Sequence, residues 1–425
     1  MKSLIETFHH PEKYGKTLLK WGSLGILIGI VGGFLGAGFH HALSFVTQTR
    51  GQYPWVLYLL PLGGLLTLGI YRWLGLKNNR GTNEVIDAVL NDGYVKPTIA
   101  PAIFLSTAIT HFLGGSAGRE GAALQLGGAS ASLLGRLFHL KENEQAVVTM
   151  AGMAAVFSGL FGTPLTATLF TMEFASVGTI FSPALLPCYL SALTASQLSA
   201  VLGTHPETFP LAAASLTLVS GIQLVALAIL VGIVGILMCF TLHEGEHLAK
   251  HLLPNSVVRI VVGALAVIGM TLLAGDQRYN GSGMEMAMQA VGGSAQWYDF
   301  LLKLLFTAVT LSAGFKGGEI VPTFCIGATF GCAAGGLLGL DPGLAGAMGL
   351  VGLFCCVTNS PLAAIALSVE MFGSSNLPMF ALVCVIGFVV SGNWGLYSSQ
   401  IIQFSKSRMV RRRFDTGEPV PPSQE

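Results

Sequence analysis

Apolar segments follow one another along almost the whole chain, at about residues 21–46, 54–75, 97–113, 121–138, 146–175, 180–203, 211–242, 256–274, 299–313, 321–340, 344–372 and 377–403. A bilayer offers no water to backbone N–H and C=O groups, so a spanning segment must satisfy them internally. Helices of about 20 residues do this across a hydrocarbon core about 30 Å thick. Charged residues make up only 10% of the chain, against about 25% in a soluble domain. Little remains for a separate soluble domain. Several runs are short, or broken by Gly and Pro, which is how half-helices meet near the midplane of transporters. The expected fold is an all-α polytopic membrane protein built from tilted and broken helices.

Both ends are basic. Lys2, Lys13, Lys16 and Lys20 precede the first apolar run, and Lys406, Arg408 and Arg411–Arg413 follow the last. The positive-inside rule places both termini in the cytoplasm and makes the number of full crossings even. Residues 1–20 read as a cytoplasmic segment, 21–403 as the membrane domain and 404–425 as a basic tail suited to lipid headgroups. The main hydrophilic breaks are Leu242–Arg259 and Gly275–Trp297. The seven cysteines lie in apolar segments without a Cys-x-x-Cys pair and read as small packing residues. The net charge of +1 points to no nucleic-acid partner.

The chain repeats itself. Thr107-Ala108-Ile109-Thr110 matches Thr307-Ala308-Val309-Thr310, and without gaps Gly114, Gly118 and Gly127 meet Gly314, Gly318 and Gly327. Thr163-Pro164-Leu165 matches Ser360-Pro361-Leu362, and nine residues after each proline stands a glutamate, Glu173 and Glu370. The halves are about 21–205 and 211–403. Repeats of this kind carry a site at their interface. The sequence does not say whether they are parallel or inverted.

Gly118-Arg119-Glu120-Gly121 sits inside an apolar stretch. Charged residues at membrane depth cost about 2.5–3.5 kcal/mol each on insertion scales. The flanking glycines suggest a tight loop leading into a helix, whose free N–H groups and positive dipole end attract an anion. Two readings fit: a salt-bridged pair sealing a helix end, or Glu120 as a tethered anion occupying an anion site. The repeat partner, Gly318–Pro322, places Pro322 in a first helical turn. Two helix starts aimed at one point make an anion site without a full positive charge that would hold the ion too tightly to release it.

Gly118–Gly121, Gly317-Gly318-Glu319-Ile320-Val321-Pro322, the two Pro…Glu helices and Leu396-Tyr397-Ser398 together resemble the CLC chloride channel and transporter family, over about residues 20–403. The resemblance implies inverted halves, a homodimer with one pore per subunit, an inner-membrane location and no cofactor or enzymatic activity. It implies that Glu120 is a gating glutamate that leaves the anion site when protonated. Thr82 takes the place of an anion-coordinating serine, and Tyr397 that of a tyrosine donating to the inner anion. Gly118, Arg119 and Gly121, with the N–H groups of Ile320 and Val321, complete the anion site. Glu173 stands where proton-coupled members carry acidic residues, while Phe174 takes the position of their internal proton acceptor.

Departures from the family pattern bear on ion identity. Ala122 replaces a proline, Ile320 stands where a phenylalanine is usual, and Gly81-Thr82-Asn83-Glu84-Val85 replaces Gly-Ser-Gly-Ile-Pro. The first two, with Phe174, resemble the bacterial fluoride-exporting branch. Thr82 and Val321 do not: that branch usually has Asn or Met at the first position and Thr at the second. The sequence reading puts halide transport first, with chloride before fluoride and possible proton exchange through Glu120. Fluoride/proton antiport and a passive channel are the alternatives. A rival of another class is a zinc protease, since His243-Glu244-Gly245-Glu246-His247 fits His-Glu-x-x-His. It lacks a clear third ligand, Asp341 being remote, and otherwise reads as a polar helical linker. His111 reads as a packing residue.

Overall fold

A helix that starts in one half of the chain has a counterpart in the other, in the same order. The computed structural model describes residues 11–205, 208–209, 211–404 and 406. The first half contains α1 (Pro11–Gln52), α2 (Leu60–Trp73), α3 (Thr82–Leu90), α4 (Ile99–Phe112), α5 (Glu120–Leu137), α6 (Glu142–Phe161), α7 (Pro164–Glu173) and α8 (Leu185–Val201). The second contains α9 (Leu218–Leu252), α10 (Ser256–Ala274), α11 (Met284–Val291), α12 (Asp299–Ala313), α13 (Ile320–Leu338), α14 (Pro342–Thr358), α15 (Pro361–Phe372) and α16 (Leu377–Val390). Among the described residues, seven segments are long and apolar enough to cross a membrane.

The halves are inverted. Gly118 and Gly318 form an antiparallel bridge, with Gly118 N–H donating to Gly318 O at 2.6 Å and Gly318 N–H to Gly118 O at 2.8 Å. Equivalent residues that pair with each other, antiparallel, lie on a two-fold axis relating the halves. The helices α7 and α15 repeat the relation, each capping the other's start with its own glutamate, as described below.

The apolar runs 146–175 and 344–372, each read as one segment, are each two helices. Gly162 (φ 71°) and Asn359 (φ 59°) turn left-handed and end α6 and α14. Pro164 and Pro361 then open α7 and α15, at a position where a missing N–H costs nothing. Their 10 and 12 residues span about 15–18 Å at 1.5 Å per residue, half a bilayer core.

Small residues let helix backbones touch where lipid supplies no hydrophobic drive. A Cβ on Gly127 of α5 would run into the Gly152 carbonyl of α6, and one on Gly327 of α13 into the Gly349 carbonyl of α14. All seven cysteines are free thiols and buried. A two-residue parallel pairing of β1 (Ser176–Val177) with β2 (Ile401–Ile402) ties the end of α7 to the segment carrying Tyr397.

Three expectations change. The polar stretch after Leu242 is not a linker: α9 continues unbroken to Leu252, and the break is only 253–255. His243 Nε2–H donates to Leu396 O at 3.2 Å, and among the described residues no group of three potential ligands is placed to hold a metal. Residues 11–20 are the first turns of α1 rather than a separate segment, and Lys20 pairs with Glu144 of α6. Of the basic tail only Lys406 is described. Its ammonium bonds Asn359 Oδ1 at 2.5 Å and Ser391 Oγ at 3.2 Å instead of facing headgroups.

The glycine contacts give a stability test. Gly327→Val forces α13 off α14 and should lower the melting temperature in detergent by the equivalent of at least about 1–3 kcal/mol, the usual cost of overpacking. Gly269→Val on α10, where a Cβ meets nothing within 4 Å, should change it little. Equal melting temperatures for the two variants would contradict the packing.

Candidate functional site

The Gly118–Gly318 bridge sets two helix starts face to face, because α5 begins at Glu120 and α13 at Ile320. First-turn N–H groups have no partner within their own helix. Both bridge residues must be glycine: a Cβ on Gly318 would lie 2.5 Å from Gly121 N, and one on Gly118 2.5 Å from Glu120 Oε2.

Glu120 occupies this junction and is fully buried. Its Oε2 accepts the N–H of Arg119 and the N–H of Val321, each at 3.0 Å. One donor belongs to the start of α5 and the other to α13, so the carboxylate bridges the two halves. Its Oε1 accepts no hydrogen bond among the described residues. Arg119 Nε lies 3.8 Å from it, a loose ion pair. The guanidinium also points Nη1 at His40 Nδ1 (3.2 Å) and stacks over the Phe161 ring at 5.0 Å. Arg119 is therefore anchored away from the centre, and backbone N–H groups hold the carboxylate.

The structure gathers most of the residues singled out in the sequence. Thr82 at the start of α3 and Glu319 crowd the same point, lying 3.2 Å (Oγ1) and 3.3 Å (Oε2) from where a Cβ on Gly121 would stand. The Thr82 hydroxyl donates to Gly121 O at 3.4 Å and accepts from Gln125 Nε2 at 3.4 Å. Its one proton is thus directed at a carbonyl. The Tyr397 hydroxyl is buried without a hydrogen bond among the described residues. Its ring meets Phe174 edge-on at 5.9 Å. His111, read as packing, donates from Nε2 to Gly118 O at 3.3 Å and so supports the bridge.

Glu319 is the residue that sequence reasoning did not place in the site. Its Oε2 is buried and unpartnered among the described residues. The signal was present: a carboxylate in the second glycine loop, where the repeat partner is Arg119.

Glu173 lies apart from this cluster. Its carboxylate caps α15, accepting the N–H groups of Leu362 (3.3 Å) and Ala363 (3.1 Å). Glu370 returns the favour to α7, accepting from Leu165 and Thr166 N–H, both at 2.8 Å, and from Thr166 Oγ1 at 2.6 Å. Carboxylates at helix N-termini are stabilising by position alone.

Comparison with known proteins gives a consistent result. Residues 63–392 match the family model "Voltage gated chloride channel". A "Chloride/fluoride channel protein" of Pseudomonas syringae pv. tomato is 33% identical over 416 residues, covering 96% of this chain and 92% of that protein. The crystal structure of a CLC-type fluoride/proton antiporter is also 33% identical, with a TM-score of 0.87 over 91% of this chain and 98% of that one. A slow cyanobacterial Cl−/H+ antiporter shares the fold at 20% identity, with a TM-score of 0.74.

The reciprocal caps separate frame from site. Glu370→Ala leaves two N–H groups of α7 without an acceptor and should cost about 1–3 kcal/mol of stability. Glu173→Ala should cost a similar amount through α15, with ion and proton flux per folded molecule retained. Loss of proton flux in Glu173→Ala at unchanged melting temperature would instead give Glu173 a transport role.

Proposed function

This chain belongs to the voltage-gated chloride channel (CLC) family, and on that premise we propose that it exchanges halide anions for protons, fluoride before chloride. The observation that carries the reading is the Glu120 carboxylate accepting N–H groups from the starts of both halves. A carboxylate oxygen there does what a halide does: it takes backbone donors at two positive dipole ends. Only one of the two can hold these donors. Protonation removes the charge of Glu120 and frees the N–H groups for the anion. Deprotonation and return of the side chain expel it.

The coupling has a definite sign. Anion occupancy disfavours ionised Glu120, and protonated Glu120 favours the anion, so each ligand helps the other bind. Flux through this step rises as pH falls. Glu319, beside Gly121, is a second carboxylate with an oxygen unpartnered among the described residues. That oxygen supports a proton-accepting role for Glu319, which the Phe174 side chain could not take.

Two points move the ion from chloride towards fluoride. The Thr82 hydroxyl, which with Val321 set this chain apart from the fluoride-exporting branch, directs its proton to Gly121 O. The two 33%-identical proteins both carry fluoride in their descriptions. In the same reading the protein is a homodimer in the inner membrane of the cell, with both termini cytoplasmic, and acts without a cofactor.

Purified protein in liposomes tests this. A fluoride gradient should drive protons uphill, and Glu120→Gln should reduce that proton movement to background while the protein stays folded. Unchanged proton movement in the variant would remove Glu120 from the mechanism. Uphill proton movement driven by chloride and not by fluoride would return the assignment to chloride.

A further inference from the structure

Lys303 is a fully buried lysine in α12, outside the junction just described. Its ammonium donates to Ser116 Oγ at 3.0 Å, Tyr279 O at 3.0 Å and Gly281 O at 2.7 Å. These use all three protons, and all three acceptors are neutral. No carboxylate forms an ion pair with it among the described residues; the nearby Asp299 is held by Arg278 and Tyr279. Keeping an unpaired charge out of water is costly, so its retention asks for a use.

The contacts say where that use lies. Ser116 is two residues before Gly118. Its N–H donates to Thr310 Oγ1 at 3.1 Å, and its hydroxyl meets Thr307 Oγ1 at 3.0 Å. The same loop is held by Asn280 Nδ2 on Gly114 O (2.6 Å), by Gly281 N–H on Gly115 O (3.0 Å) and by Arg50 Nη1 on His111 O (2.9 Å). Lys303 thus joins the second half to the loop that delivers Gly118 and Glu120. The charge breaks the repeat: the counterpart of Lys303 is Ile103, and that of Ser116 is Lys316. Arg50, in the last turn of α1, reaches the same loop, so two cations stand behind it.

We propose that Lys303 is a positioning residue for anion binding. It fixes the Gly114–Gly118 loop through Ser116 and supplies an unscreened positive field behind the helix starts that receive the halide. It does not touch the ion, since its donors are spent. In a low-dielectric interior an uncompensated charge acts over many ångströms, and it favours the anion whenever Glu120 has left.

This rests on the anion-transport reading, and one experiment distinguishes the two. Initial potassium fluoride efflux from liposomes is measured against fluoride concentration for wild type, Lys303→Met, Lys303→Arg and Thr307→Val. Wild type without halide flux defeats the transport reading itself. With flux present, Lys303→Met should raise the half-saturating fluoride concentration about tenfold, the order expected when a charged hydrogen-bonding group is lost, with a smaller effect on the maximal rate. Lys303→Arg should recover most of that shift. Thr307→Val, which removes a neutral bond from the same Ser116, should shift it little. If Lys303→Met does not fold, Ser116→Ala keeps the charge and frees the loop, and should raise half-saturation about threefold. Half-saturation unchanged in whichever of these two variants folds, or shifted equally by Lys303→Met and Thr307→Val, overturns the proposal.

Discussion

Two hydrogen bonds between Gly118 and Gly318 hold the centre of this molecule. They sit on the axis relating the halves, so each half contributes the same residue in opposite direction. A side chain at either position would collide with the next helix start. The bridge therefore allows α5 and α13 to begin within reach of one carboxylate. Without it, the N–H groups of Arg119 and Val321 would have no reason to converge. The small-residue seams at Gly127–Gly152 and Gly327–Gly349 carry the same closeness outward to α6 and α14.

What the bridge creates is a junction in which backbone donors hold a negative charge without a guanidinium clamp. Helix starts offer partial charge and directed N–H groups, and Arg119 alongside stands 3.8 Å from Glu120 with further contacts to His40 and Phe161. A guanidinium in bidentate contact would trap either the carboxylate or a halide. Here the donors are backbone groups, and in the proposed exchange the Glu120 side chain is what moves. Protonation would release it, because it changes the charge of Glu120 without changing the donors.

Much of this was legible in the chain. Long apolar runs required helices, the 200-residue offset required two related halves, and Gly118–Gly121 with Gly318–Pro322 located the junction. Other features had no sequence signal of sufficient strength. Inversion is a statement about direction, and matching letters carry none; it took the antiparallel bridge to show it. The breaks inside 146–175 and 344–372 fall at prolines that hydropathy passes over. Polar residues after Leu242 suggested a linker, yet α9 continues because nothing there stops a helix: Gly245 costs about 1 kcal/mol, and Pro254 lies beyond its end. Glu319 escaped notice because its repeat partner is a cation, and Glu173 drew notice through a resemblance although its geometry is that of a cap.

The two-fold axis also sorts the residues by role. Those that obey it build the frame: Gly118 with Gly318, Thr107 with Thr307, Thr110 with Thr310, and Glu173 with Glu370, whose carboxylates cap each other's helices. Those that break it lie in the junction or in the loop that leads to it. Glu120 faces Ile320 across the axis, Arg119 faces Glu319, Ser116 faces Lys316, and Lys303 faces Ile103. A symmetric site would present the same potential to both faces of the membrane, and a single carboxylate could not alternate between them with different partners. Cations stand behind the Gly114–Gly118 loop and a second carboxylate beside Gly121, so the surroundings of Glu120 differ chemically on its two sides. The proposed exchange of unlike ions through one side chain depends on that difference, and the symmetric frame is what allows it to be confined to so few positions.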